Sequence, residues 1–409
     1  MDTSVQARNG ALSQSVALGS FVATLIGIFA MEMSNLGWSP LAGVVAKAWH
    51  IGFGQLGLLL GLGGPALIVM GLPSGWLVER FGEKMMFVVG AVVTALGLAL
   101  MGLASGFGMG LLGRALWQLS YGLAFVSALT AMAKTIPEKH RSASMGIFGA
   151  VSAVAAAFGA PFGGWIASTG GWQRGFFAFA AMAILGAILV GAIYRAAKDR
   201  PALVHGGGAT AYEQPAGRSA YRSQVVWVLA LGLALGDIAG ITMIFFAPAV
   251  LGQSFHESVL MSSLVVSWGF LASIPINALA GWISDRIGRL PVISAILLLI
   301  AAGALLLEVP SAGVFTGAAA AVLALGFSIP NMSFAFAADI LAGREVGPIM
   351  GIMNFGVGCA VYAGPQIVGW LRAATGGFSV GWIVLSALMV ASFVIFLLAA
   401  RYARATAAL

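Results

Sequence analysis

The sequence predicts an all-α membrane protein of twelve transmembrane helices, built as two pseudo-symmetric six-helix bundles. Three observations carry this. Only 8% of residues are charged and 60% are hydrophobic, with a mean hydropathy of +1.00; a soluble domain usually carries roughly 25% charged residues. Apolar runs long enough to cross a bilayer, about 20 residues each, recur along the whole chain. A short loop occurs twice, as Gly75-Trp76-Leu77-Val78-Glu79-Arg80-Phe81-Gly82-Glu83-Lys84 and as Gly281-Trp282-Ile283-Ser284-Asp285-Arg286-Ile287-Gly288-Arg289. The copies are 281 − 75 = 206 residues apart in a chain of 409, so one multi-span unit is written twice.

Met1 to Ser15 is polar with Arg8 as its only base, and the first apolar run is too long for a signal-peptide core, so no cleavable leader is expected. Spans follow near 16–40, 52–78, 85–105, 108–133, 142–168 and 175–195, then near 223–250, 259–284, 290–307, 312–337, 347–371 and 378–400. None alternates as a barrel strand would, and open strands cannot cross lipid with unpaired backbone groups. Between the sixth and seventh runs lies the longest polar stretch, Ala196 to Ser223, with Pro201, Gly206 to Gly208 and Pro215, which reads as a tether. The expected organisation is an N-terminal bundle over 1–196, a cytoplasmic linker over 197–222 and a C-terminal bundle over 223–409. Small residues let membrane helices approach closely, and Gly61, Gly63, Gly64, Gly159, Gly163, Gly164, Gly356, Gly358 and Gly364 fit that use.

Basic residues set the orientation. With the N-terminus in the cytoplasm, the inside receives Arg8, Arg80, Lys84, Lys134, Lys139, Arg141, Arg195, Lys198, Arg200, Arg218, Arg222, Arg286, Arg289, Arg344, Arg401 and Arg404, and the outside only Lys47, Arg174 and Arg372. That bias follows the positive-inside rule and puts both termini and both repeated loops in the cytoplasm. The net charge of +7 forms no patch, which argues against nucleic acid. Cys359 is the only cysteine, so no disulfide forms within the chain. His50, His140, His205 and His256 lie apart, in loops or at span ends, and read as solvated bystanders. With no metal cluster and no Gly-Lys-Ser/Thr phosphate loop, neither an enzyme nor a cofactor is expected.

Three ionisable residues fall inside spans: Glu32, Arg114 and Asp237. Charge in lipid is costly, so each should face a cavity or a partner. The two acids are 237 − 32 = 205 residues apart, which makes them symmetry mates, and each precedes a proline (Pro40, Pro248) where a bend is expected. Helical spacing puts Gln118 and Tyr121 on the face of Arg114 and Asn35 beside Glu32. Asn354, Tyr362 and Gln366 share a face of span eleven, and Trp117, Phe245, Phe246 and Trp268 could wall a cavity. A buried structural ion pair is the alternative reading of the charges.

Twelve spans, a central tether and the duplicated Gly…acid-Arg-x-Gly-base loop resemble the major facilitator superfamily over nearly the whole chain. The resemblance implies alternating access around a cavity lined by spans one, four, seven and ten, which carry Glu32, Arg114 and Asp237. It also implies that the repeated loops latch the cytoplasmic ends, through Gly75, Glu79, Arg80 and Gly82 in one copy and Gly281, Asp285, Arg286, Gly288 and Arg289 in the other. The first copy departs from the pattern: Glu79 replaces Asp, and Glu83 stands where a base is usual. Ala160-Pro161-Phe162-Gly163-Gly164 resembles in part a motif of proton-coupled drug antiporters. Gly351-Ile352-Met353-Asn354-Phe355-Gly356 resembles span eleven of anion symporters.

The function so implied is proton-coupled uptake of a small organic anion across the inner membrane by a monomer, without cofactor or nucleic acid. Arg114 would bind the anion, with Gln118, Tyr121, Asn35, Asn354 and Tyr362 as further contacts and Glu32 or Asp237 as proton carrier. Proton-driven efflux of amphipathic compounds is the rival, and a non-transporting receptor the third reading.

Overall fold

The computed structural model describes residues 3–135, 141–195, 223–340 and 346–407. All its regular elements among these are helices: α1 (Thr3–Gly37), α2 (Ser39–Ala48), α3 (Phe53–Gly61), α4 (Gly63–Phe81), α5 (Glu83–Leu103), α6 (Phe107–Thr135), α7 (Arg141–Gly170), α8 (Trp172–Ile193), α9 (Gln224–Ser254), α10 (Val259–Ile287), α11 (Arg289–Leu306), α12 (Ala312–Gly326), α13 (Ile329–Ile340), α14 (Val346–Thr375) and α15 (Ser379–Ala407). Eleven spans are long and apolar enough to cross a membrane. The remaining expected span, 347–371, coincides with α14, a helix of 30 residues that carries Asn354, Tyr362, Gln366 and Arg372. The tether expected over 197–222 lies outside the described residues.

Three spans depart from the expectation of one run, one helix. Span one turns from α1 into α2 at Trp38, span two is divided at Leu62, and span ten is divided at Phe327 and Ser328. A proline follows each division, at Pro40, Pro65 and Pro330, in the first turn of the next helix, where its missing N–H is tolerated. The same missing N–H withdraws a partner from the carbonyl four residues back and interrupts the ladder there. Pro248, by contrast, sits inside α9, which runs undivided from Gln224 to Ser254.

The duplication survives in the backbone. Six described residues have a left-handed φ: His50, Gly82, Gly171, His256, Gly288 and Gly376. They form three pairs, separated by 256 − 50 = 206, 288 − 82 = 206 and 376 − 171 = 205 residues. At Gly82 (φ 84°) and Gly288 (φ 91°) the N–H groups close the preceding helices on the carbonyls of Val78 and Ser284, each at 2.9 Å. Only glycine takes that conformation without strain, which explains why the repeated loops keep it at this position.

The bundles meet toward the end opposite those loops, called the far end below. There α3 and α4 lie against α14, α7 against α10, and α2 against α9. Glycines make the approach possible: a Cβ at Gly57 would lie 2.6 Å from the Pro365 carbonyl, and one at Gly61 2.7 Å from that of Tyr362. Gly64 is held against the Gly358 backbone in the same way. The Ser267 hydroxyl donates to the Ala157 carbonyl across the other seam (2.6 Å). Nearer the signature loops Gly71, Gly75 and Gly351 have open space where a side chain would go.

A side chain at position 64 must therefore displace backbone from its first carbon, whereas at position 71, which is exposed, the first carbon has open space. Gly64→Leu is expected to destabilise by about 1–3 kcal/mol and Gly71→Leu by less than about 0.5 kcal/mol, read as melting temperatures in the same detergent.

Candidate transport site

Two layers of side chains cross the middle of the bundle. In the layer nearer the signature loops, Glu32 of α1 accepts a 2.6 Å hydrogen bond from the Tyr121 hydroxyl of α6. Asn35 lies beside both. Asp237 of α9 is buried, and no hydrogen bond or ion pair involves it among the described residues. The glycines beside it fix where it sits. A Cβ at Gly236 would meet Ile329, Leu297 and Ser392, and one at Gly240 would meet Gly326. Gly236 and Gly240 bring this stretch of α9 close to the division between α12 and α13, where the hydroxyls of Ser328 and Ser333 are buried without partners.

The second layer lies about 10 Å nearer the far end, since Trp38 is six residues beyond Glu32 and Arg114 seven before Tyr121, at 1.5 Å per residue. Arg114 is 1% exposed. Its guanidinium lies between two indoles, 4.5 Å from the Trp38 ring centroid and 4.3 Å from that of Trp117. Its Nε donates to the Leu59 carbonyl at 3.3 Å. That carbonyl belongs to the last turn of α3, where helix carbonyls have no partner within the helix; the division at Leu62 supplies the acceptor. The Gln118 amide reaches over the same division, so that a Cβ at Gly63 would lie 2.6 Å from its Nε2. Trp38 in turn touches Phe245 of α9, with centroids 6.2 Å apart.

Four buried polar atoms of this layer have no hydrogen-bond partner: Arg114 Nη1, Trp38 Nε1, Trp117 Nε1 and Gln118 Oε1. Three are donors, and no carboxylate lies within ion-pair distance of Arg114 among the described residues. The guanidinium is stacked on aromatic faces and does not pair with either acid.

The other expected contacts are more scattered. Asn354 and Gln366 are half-buried, and Gln366 Nε2 has no partner. Tyr362 presses its backbone against Gly61 and Gly64 while its side chain is 39% exposed. Phe246 stacks with Phe53, but Trp268 is exposed and walls nothing. Trp38 was legible only as an i+3 neighbour of Asn35, and the Leu59 carbonyl carries no side-chain signal at all.

At the signature loops the bundles are not in close approach in this arrangement. Glu79 and Arg80 are exposed, and Arg80 packs over Trp76 and Phe81. Arg286 lies 3.4 Å over the Trp282 ring, and the Asp285 side chain is 73% exposed. Arg289 alone meets carboxylates, those of Asp339 at 2.5 Å and Asp285 at 3.9 Å, all within one bundle. The acid that packs is Glu83. It opens α5 directly after left-handed Gly82, turns inward, and accepts the Tyr194 hydroxyl at 2.8 Å. Burial, then the Glu83 carboxylate, hold the Tyr194 hydroxyl far above the usual phenol range, so it remains a donor.

A family model of the Major Facilitator Superfamily matches residues 21–329 and 229–408. The chain belongs to that superfamily. As a transporter of this family it is a multi-pass membrane protein and not an enzyme. It is 22% identical over 88% of both chains to a "Probable sulfoacetate transporter SauU" of Cupriavidus necator. It is 23% identical to a "Nitrite extrusion protein" of Bacillus subtilis, over 87% of this chain and 88% of that one. It is 25% identical over 36% of this chain and 33% of that one to a "Probable galactarate/D-glucarate transporter GarP" of Escherichia coli. Among solved structures, a bacterial homolog of the human lysosomal transporter Spinster, described as inward-facing, superposes with a TM-score of 0.72 over 96% of both chains at 17% identity. The nucleoside transporter NupG superposes with a TM-score of 0.74 over 94% of this chain and 99% of that one, at 11% identity.

Restoring the family's base at the buried acid should be costly. Glu83→Lys would take the carboxylate acceptor from the Tyr194 hydroxyl and bury a cation in its place, at about 3–5 kcal/mol, whereas Glu83→Gln keeps an acceptor and should cost about 1 kcal/mol. Melting temperatures of the two purified variants check the ranking.

Proposed function

We propose that this transporter takes up a small organic anion together with protons by alternating access, with the signature loops on the cytoplasmic side of an inner membrane. The observation that carries the reading is Arg114: a buried cation with no carboxylate beside it among the described residues, whose own Nη1 and two adjoining indole N–H groups have no partner. An unpaired buried charge is strongly unfavourable, so the site is complete only when an anion fills it. A guanidinium suits carboxylate or sulfonate oxygens. The sulfoacetate and glucarate transporters among the relatives agree with that ligand class.

Arg114 binds the anion, Gln118 and the two indoles orient it, and Tyr121 and Asn35 connect it to Glu32. Asn354 and Tyr362 are further contacts as span eleven moves. Glu32 or Asp237 carries the proton, taking it up when open to the acidic side and releasing it toward the cytoplasm. The division into bundles 1–196 and 223–409 with a linker at 197–222 fits a rocking motion around this site. Efflux of amphipathic compounds would instead show as acid-driven extrusion of dyes.

Proteoliposome flux tests the reading. Sulfoacetate or glucarate uptake should rise several-fold as the external pH is lowered below the internal pH. Arg114→Gln should lower apparent affinity about 30-fold or more, the loss of a buried charge-assisted contact of about 2–5 kcal/mol, and Arg114→Lys should lie between. Unchanged affinity in Arg114→Gln sinks the anion site.

Glu32→Gln and Asp237→Asn should separate the acids. The variant of the proton carrier keeps anion counterflow but loses its response to the pH gradient, while the other loses neither. Paired counterflow and gradient-driven assays distinguish them.

A further inference from the structure

At the far end, a cavity of about 550 Å³ is lined by Ala46, Lys47, His50, Ile51, Phe53 and Leu56 of the first half and by Gly252, Gln253 and His256 of the second. Its polar residues are symmetry mates: His256 is 256 − 50 = 206 residues after His50, and Gln253 is 253 − 47 = 206 after Lys47. Both histidines are left-handed, with φ 52° and 57°, a conformation uncommon outside glycine. The same turn, made once in each half, delivers both imidazoles to one hollow between the bundles. Both histidines are exposed, as expected, and both line the same hollow; His140 and His205 lie outside the described residues.

The cavity is separated from Arg114 by stacked aromatics. Phe53 lies on Phe246 with centroids 6.4 Å apart, and Trp38 contacts Phe245 and Arg114. Lys47 is nine residues beyond Trp38, about 13 Å at the helical rise, so the cavity caps the same central axis outside that seal. Its charge is positive: Lys47 lines it, and Arg372 lies behind Phe53, 5.2 Å from the ring centroid, with a buried Nε that has no partner. Glu257, exposed beside His256, is the acid at this rim. The first turn of α3, which has no side-chain cap, adds the partial positive charge of a helix N-terminus, while the last turns of α2 and α9, ending at Ala48 and Ser254, add partial negative charge.

We infer that this hollow is an outer anion site, in which Lys47, His50, Gln253 and His256 hold a small organic anion on the far side of the aromatic seal from Arg114. The ligand class rests on the organic-anion reading above; the site itself does not depend on Arg114. Such a site raises the local concentration of substrate at the gate and rejects cations. Its ligands come from both bundles, so it exists only while the far end is closed and disperses as the bundles part.

Carbethoxylation of His50 and His256 by diethyl pyrocarbonate, followed by mass spectrometry, tests this without any transport. Millimolar sulfoacetate should slow modification of both histidines at least about threefold, in the native protein and equally in Arg114→Gln, while choline chloride at the same ionic strength should not. Protection absent in both proteins, present only in the native one, or matched by choline chloride overturns the outer site. Uptake assays judge the Arg114 site independently, so the two readings can fail separately. As a second readout, Lys47→Gln combined with His50→Gln and His256→Gln should raise the KM for uptake several-fold; an unchanged KM overturns the proposal.

Discussion

A guanidinium held away from water in the middle of a membrane bundle is the constraint around which the surrounding structure is arranged. Arg114 cannot be neutralised cheaply, so its neighbours must supply compensating dipoles and faces. Two indoles stack on it, and a helix is interrupted so that the Leu59 carbonyl is free to accept from it. The division of span two at Leu62 is therefore part of the site, made by Gly61, Gly63, Gly64 and Pro65, with the glycines also allowing α14 to approach. One guanidinium nitrogen and two indole N–H groups remain without a hydrogen-bond partner.

The fold was largely legible because lipid imposes a coarse rule on sequence. Apolar length gives the spans, and the 206-residue period gives the two bundles. Helix divisions were less legible. Proline marks a possible interruption but not whether neighbours sustain it: Pro40, Pro65 and Pro330 accompany divisions, while Pro248 rides inside α9. In the site, Glu32, Arg114 and Asp237 stood out because charge in an apolar run is costly, but helical spacing put Tyr121 only on the face of Arg114, and its hydrogen bond to Glu32 on another helix was not read. That Arg114 would meet tryptophans and not an acid could not be read, because pairing depends on rotation of whole helices about their axes. The Glu83–Tyr194 contact joins residues 111 apart, and no local pattern announces it.

Duplication has been kept unevenly. The backbone retains its left-handed turns in register at three pairs of positions, but the side chains have diverged where chemistry divides the halves. Arg114 has no buried cationic mate in α12 or α13, Glu32 has a tyrosine partner that Asp237 lacks, and Lys47 stands opposite Gln253. The backbone has thus kept the repeat more closely than the side chains of the two halves have.

The hydrogen bond from Arg114 to Leu59 also ties the binding pocket to the far-end seam. α3 is short, joined to α4 only through Leu62, and it lies directly on α14. If the Arg114 side chain turned its Nε away, the Leu59 carbonyl would lose the one side-chain hydrogen bond that α3 receives among the described residues. Such a turn would slacken the small helix that lies on the seam, so that pocket and seam become two ends of a single lever.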